Sequence, residues 1–170
     1  AIPPPSIGGI VGATALKMSL LFSPYRHPLQ GMPTLPPPLS ATVAIIGGGP
    51  SGLAAAEVLL SSGVKVGLYE SNPSVGRKFL MAGKGGMNIT HSEAWEHFAK
   101  RYGSRTKDLR PILETFKPEH LRQWIHGLGI ETFVGTSGRV FPREMKAAPL
   151  LRAWLHRLRE GGLQLHVRHR

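Results

Sequence analysis

The 170 residues suffice for one domain with a sizeable core, and an apolar fraction of 41% with mixed charges describes a soluble globular chain. The absence of cysteine excludes a disulfide framework, a thiolate metal site and a cysteine redox pair, and no apolar run approaches the length of a membrane helix. The net charge of +11 gathers after residue 90, where fifteen bases meet eight acids; the bases are spread over predicted helices without interleaved aromatics, so a solvated basic face is expected and a nucleic-acid partner is not.

Residues 1–40 read as a disordered or non-native leader. Pro3-Pro4-Pro5 and Pro36-Pro37-Pro38 bracket a stretch without helical or strand period. Ile7 to Phe22 is largely apolar, yet it lacks the basic start and small-residue cleavage site of a signal peptide. Met32, ten residues before Thr42, is the natural start of the folded region. A cytoplasmic protein is expected.

Val43 to Ile46 is a short β-branched run, predicted to be a strand buried on both faces. A glycine turn comes next, then a helix over Leu53–Leu60 ended by Ser61-Ser62-Gly63, then a strand over Val64–Tyr69 closed by Glu70. This is the size of a parallel β-α-β crossover. The turn spells G-x-G-x-x-G at Gly47, Gly49 and Gly52. The first glycine permits the tight turn, the second leaves room for a pyrophosphate, and the third lets the helix pack against the sheet. With Pro50 and Ser51 they put a helix N-terminus opposite the phosphates. Glu70, eighteen residues past Gly52, stands where a carboxylate accepts from ribose hydroxyls, with Ser71 beside it. Strand, turn, helix and terminal acid together are the context that gives the motif weight.

After the loop Ser71-Asn72-Pro73 come Arg77 and Lys78 and a second glycine-rich loop, Gly83-Lys84-Gly85-Gly86-Met87-Asn88. Exposed backbone N–H groups and nearby cations suit a second clamp on a diphosphate or a flavin ring. Helices are predicted over Ala94–Tyr102, Lys107–Phe116 and, with Pro at its first turn, Pro118–Ile125, ended by Gly127 and Gly129. Ile130–Val134 and Arg139–Phe141 form a hairpin around Gly135-Thr136-Ser137-Gly138. Lys146–Arg159 is an amphipathic helix with Leu150, Leu151, Trp154, Leu155 and Leu158 on one face, capped by Gly161-Gly162, and Leu163–Val167 alternates as a strand. The histidines show no zinc spacing, and no nucleophile-elbow grouping is present, so neither a metal nor a catalytic residue is assigned.

Three segments in order carry a resemblance. Val43–Ala56 resembles the N-terminus of two-domain flavoproteins. Gly76–His91 is similar to the G-R-K…G-x-G-R-C-N-x-T-N signature of the BaiN-like (YhiN-type) FAD/NAD(P)-dependent oxidoreductases, and Gly138-Arg139-Val140-Phe141-Pro142 followed by Lys146-Ala147 resembles the same family's G-R-x-F-P…A segment. The chain departs from that pattern at Gly86-Met87, where the family has Arg-Cys, and at His91, where it has Asn. It looks like a cysteine-free subgroup, to which no thiol mechanism carries over.

The resemblance implies an α/β, Rossmann-like FAD/NAD(P)-binding domain, a parallel sheet with crossover helices plus a small β-hairpin. Residues 41–170 would be its N-terminal part, truncated at the C-terminus. It also implies bound FAD, NAD(P)H as a possible electron donor and a small-molecule substrate. Gly47, Gly49, Pro50, Ser51 and Gly52 would then hold the pyrophosphate, Glu70 the adenosine ribose, and Arg77, Lys78 and Gly83–Asn88 the flavin end. Two other readings stay open: an NAD-dependent dehydrogenase domain, and an RNA-associated flavoprotein.

Overall fold

The computed structural model describes residues 42–169; the leader expected over residues 1–40 lies outside them. Strand β1 (Thr42–Ile46) leads through the glycine turn into helix α1 (Pro50–Ser61), and β2 (Lys65–Glu70) lies parallel to β1, with Val43 opposite Val66 and Ile45 opposite Leu68. Helix α2 (Arg77–Ala82), the two-residue β3 (Thr90–His91), and helices α3 (Trp95–Lys100), α4 (Thr106–Thr115) and α5 (Pro118–His126) come after it. Next are β4 (Thr132–Val134), β5 (Arg139–Pro142), helix α6 (Ala147–Glu160) and β6 (Gln164–Val167). β6 runs parallel to β2 on the side away from β1. This is the Rossmann-like parallel sheet with crossover helices that the sequence leads one to expect.

One face of the sheet carries the core. Val66 and Leu68, two residues apart on β2, cluster with Leu53 and Ala56 of α1 and with Leu151, Trp154 and Leu158 of α6. Each large side chain taken out of water there contributes about 1.5–3 kcal/mol. The apolar stripe foreseen on α6 is this packing face, and Leu155 sits at its edge.

Glu57 of α1 supplies the polar joint between the layers. It accepts from the indole N–H of Trp154 (2.8 Å) and of Trp124 (3.1 Å), and its other oxygen lies 2.6 Å from the Arg157 guanidinium. That last contact is an ion pair without a hydrogen-bonding angle, and Arg157 Nε and Nη2 are buried with no hydrogen-bond acceptor. Trp124 and Trp154 meet edge to face at 4.8 Å, and the Arg157 guanidinium lies over the Trp124 ring.

The expectation that β1 is buried on both faces is corrected. Among the described residues β1 is an outer strand, and its burial alternates along its length. Register puts Ala44, Ile46, Lys65, Tyr69, Gln164 and His166 on the face away from α1 and α6. Ile46 is 83% exposed there, while Tyr69 and His166 stack at 4.6 Å. An apolar β-branched run records what a strand can bury and not what lies against it.

The hairpin is also larger than foreseen. β4 and β5 pair antiparallel, with Gly135 N–H donating to Arg139 O across the turn, and β3 adds to the other edge of β5. Besides Arg157, four arginines of the described C-terminal half pair with acids: Arg101 with Glu93, Arg105 with Asp108, Arg110 with Glu96 and Glu114, and Arg143 with Glu131. Among the described residues no helix is long and apolar enough to cross a membrane, and no group of three or more His, Cys, Asp or Glu side chains could hold a metal ion.

Candidate dinucleotide site

The turn between β1 and α1 is built by its glycines. Gly47 adopts φ 103°, a conformation that side chains resist, and its N–H donates to Tyr69 O at 2.8 Å, fixing the turn to β2. A Cβ on Gly52 would lie 2.0 Å from Gly47 O and 3.4 Å from the Ile45 side chain, so only glycine lets α1 start this close to the sheet. Gly49 is different. It has ordinary extended dihedrals (φ −80°, ψ 177°), and among the described residues a Cβ there would meet nothing within 4 Å. The space over Gly49 is open, as a phosphate cradle must be.

Helix α1 begins with Pro50 at its first position, and Leu53 N–H makes the first helical bond, to Gly49 O. The N–H groups of Gly49, Ser51 and Gly52 find no acceptor among the described residues. They face outward at the positive end of a twelve-residue helix with no acidic residue in its first turn. That arrangement binds anions.

Glu70 closes the site from the tip of β2. Its Oε2 accepts the Gly48 N–H at 2.9 Å, joining the acid to the glycine turn. Its Oε1 accepts the Asn72 N–H at 2.8 Å, the Asn72 side-chain amide at 2.6 Å and the Ser71 hydroxyl at 3.3 Å. The Asn72 backbone N–H, then the Gly48 N–H and the Asn72 side chain, stabilise the charged form and hold the carboxyl at about 2, down from the ordinary 4.5. Ser71, foreseen as a cofactor contact, spends its hydroxyl on Glu70. Gly48 and Asn72 were missed by sequence reasoning. A Cβ on Gly48 would sit 2.3 Å from the Val75 side chain, and the third glycine in Gly47-Gly48-Gly49 was the available signal.

The segment after Glu70 folds back on the turn. Gly76 N–H donates to Gly48 O at 2.7 Å, so Arg77 and Lys78, the first residues of α2, leave from a backbone bonded to the glycine turn. Both are exposed, and no ion pair with an acidic residue holds them among the described residues. Gly76 itself, at φ 67°, has no room for a Cβ, which would sit 2.6 Å from Leu151 of α6.

The second loop has other neighbours. Met87 is buried and donates its N–H to Met145 O, while Gly86 at φ 110° faces the Met145 side chain. The Asn88 amide, in the orientation that satisfies its surroundings, donates to Thr90 O and Val140 O. Gly83 abuts Ala147 at the start of α6. Lys84 and Gly85 are exposed. The loop is thus seated on the antiparallel sheet β3-β5-β4 and the start of α6, and its hydrogen bonds go to that side rather than to Gly47–Gly52.

A parallel β-α-β unit with an open glycine cradle, an anion-binding helix end and a tethered terminal acid defines a dinucleotide-binding Rossmann domain. Residues 41–170 match the HI0933-like protein Rossmann domain, and the chain belongs to that family. A search of curated proteins finds no match. Among solved structures the chain is similar to the THI4 protein of Thermovibrio ammonificans, at 22% identity and a TM-score of 0.45 over 75% of this chain and 38% of that one. It is also similar to the L-amino acid deaminase of Proteus myxofaciens solved with anthranilate, at 17% identity and a TM-score of 0.34 over 80% of this chain and 40% of that one. The chain therefore spans about two fifths of the length of those proteins.

Proposed function

We propose that this chain is the FAD-binding N-terminal region of an NAD(P)H-linked flavoprotein oxidoreductase of the BaiN-like (YhiN-type) group, in a cysteine-free form. The observation that carries the reading is the bond from Gly48 N–H to Glu70, which joins the acid to the glycine turn and supports reading the two as ribose acceptor and phosphate cradle. The residues present fit the cofactor: the space over Gly49 is open, and the N–H groups of Gly49, Ser51 and Gly52 are free to bind an anion.

In this reading Gly47, Gly49, Pro50, Ser51 and Gly52 form the pyrophosphate site. Glu70 orients the adenosine ribose, with Ser71 acting through it. Arg77 and Lys78 add positive charge beside the phosphates, and Gly83, Lys84, Gly85, Gly86, Met87 and Asn88 lie toward the flavin. Bound flavin supplies the redox chemistry, and the chain's residues bind and orient it. Met87 stands where the family motif has a thiol, so no proton or electron is routed through a cysteine, and no catalytic residue is assigned. The expected partners are NAD(P)H and a small-molecule substrate in the cytoplasm, and a nucleic acid is not expected.

The absorption spectrum of the protein purified from cells tests this. Flavin bands that leave with released FAD on denaturation are expected. A colourless protein that takes up NAD but not FAD contradicts the reading and returns the chain to the NAD-dependent dehydrogenases; a salt-dependent complex with tRNA points to the RNA-associated alternative.

A further inference from the structure

We propose that Asn72 is the positioning residue that presets Glu70 to read a single ribose hydroxyl; the role rests on the dinucleotide reading above. A carboxylate offers about four acceptor sites, two on each oxygen. Oε1 of Glu70 already takes three donors: the Asn72 N–H, the Asn72 amide and the Ser71 hydroxyl. Oε2 takes one, the Gly48 N–H. The open acceptor direction is on Oε2, beside the glycine turn, so Glu70 meets the ribose through one oxygen and one hydroxyl.

Asn72 is itself anchored. Its carbonyl accepts the Arg168 N–H at 3.1 Å, and the His169 N–H donates to Glu70 O at 3.0 Å. The turn after β6 is thereby tied to the tip of β2, with Arg168 in the left-handed region at φ 60°. Asn72 is held by its backbone while its side chain holds the acid. Without the amide, Oε1 loses the shortest of its three donors and keeps the Asn72 N–H and the Ser71 hydroxyl, so the carboxylate is held less firmly beside Gly48.

ADP, the half of the dinucleotide that carries this ribose, is the probe. It is titrated into the full chain as wild type, Asn72→Ala, Glu70→Gln and the double variant, and the Glu70 side-chain carboxyl is titrated by carbon NMR in the wild type and Asn72→Ala. Asn72→Ala is expected to weaken ADP about tenfold, the low end of what losing the Glu70 acceptor costs, because the carboxylate stays present and is less well placed. In the Glu70→Gln background the same change is expected to cost less than about twofold, since Asn72 acts only through the carboxylate. The carboxyl midpoint is expected to rise in Asn72→Ala.

An equal loss in both backgrounds, with an unmoved midpoint, means that Asn72 merely supports the loop and overturns the proposal. Failure of the wild type to bind ADP while the midpoint still depends on Asn72 removes the dinucleotide reading, and the ribose role with it. ADP binding with an unmoved midpoint and no loss in Asn72→Ala removes Asn72 alone.

Discussion

Glu70 is an acceptor set in place before any ligand arrives. Four donors hold its carboxyl at about 2. A carboxyl whose folded value is depressed stabilises the fold above its unfolded value of 4.5, and that contribution is lost as pH falls toward about 2. The ratio of the ADP affinities of wild type and Glu70→Gln, in which titration of the ligand's own phosphate cancels, should therefore stay level between pH 7 and pH 4, whereas an unheld glutamate would already be half protonated at its ordinary 4.5. Calorimetric titration across that range checks it. Glu70→Ala should weaken the dinucleotide roughly ten- to a hundredfold, as expected for losing a hydrogen bond of about 1.5–3 kcal/mol to a charged acceptor, and leave the chain folded. An affinity within about twofold of wild type takes Glu70 out of the site.

The glycines separate in the same way. Gly49 has dihedrals that any residue adopts and open space beside it, so Gly49→Val should fold with a melting temperature within about 5 °C of wild type and lose binding. Gly52→Val would drive a side chain into Gly47 O, and it should lose both stability and binding. Circular dichroism melts paired with titration distinguish the two. The steric demands at Gly47 and Gly52 were legible in the motif because each answers a constraint of one turn. Asn72 was not, because its amide becomes informative only when the chain brings it to Glu70.

At the scale of elements, Glu57 locks α1 to α5 and α6. The helix that carries the proposed phosphate cradle is therefore oriented by a carboxylate on its inner face, bonded to two indoles. Glu57→Ala leaves those two indole donors without an acceptor and the Arg157 guanidinium without its ion-pair partner, at about 1–3 kcal/mol for each group left unpaired. The variant should be destabilised by at least ~2 kcal/mol in urea, with altered tryptophan emission from Trp124 and Trp154; a change below about 0.5 kcal/mol would show that packing alone seats the helix. Helix α6 was legible because its leucines recur at helical spacing. Helix α2 was not: it has six residues, none buried, and a glycine at each end. β3 is two residues long and exists through its pairing with β5, which no local pattern announces.

For the whole molecule, the order β1-β2-β6 and the glycine turn place the candidate site at one end of the parallel sheet, with the smaller sheet seating the second loop. The fold class was readable because a β-α-β unit writes itself locally, as apolar run, glycines, helix and acid. The exposure of β1 was not, because burial depends on what lies against a strand. The central claim is that the open space over Gly49 takes the pyrophosphate of FAD. Isothermal titration of FAD and of NAD into the wild type and Gly49→Val tests it most directly. The account expects FAD to bind more tightly than NAD, and Gly49→Val to weaken FAD by at least about tenfold while the melting curve stays in place. Equal FAD affinity in the two proteins, or a preference for NAD, would contradict it.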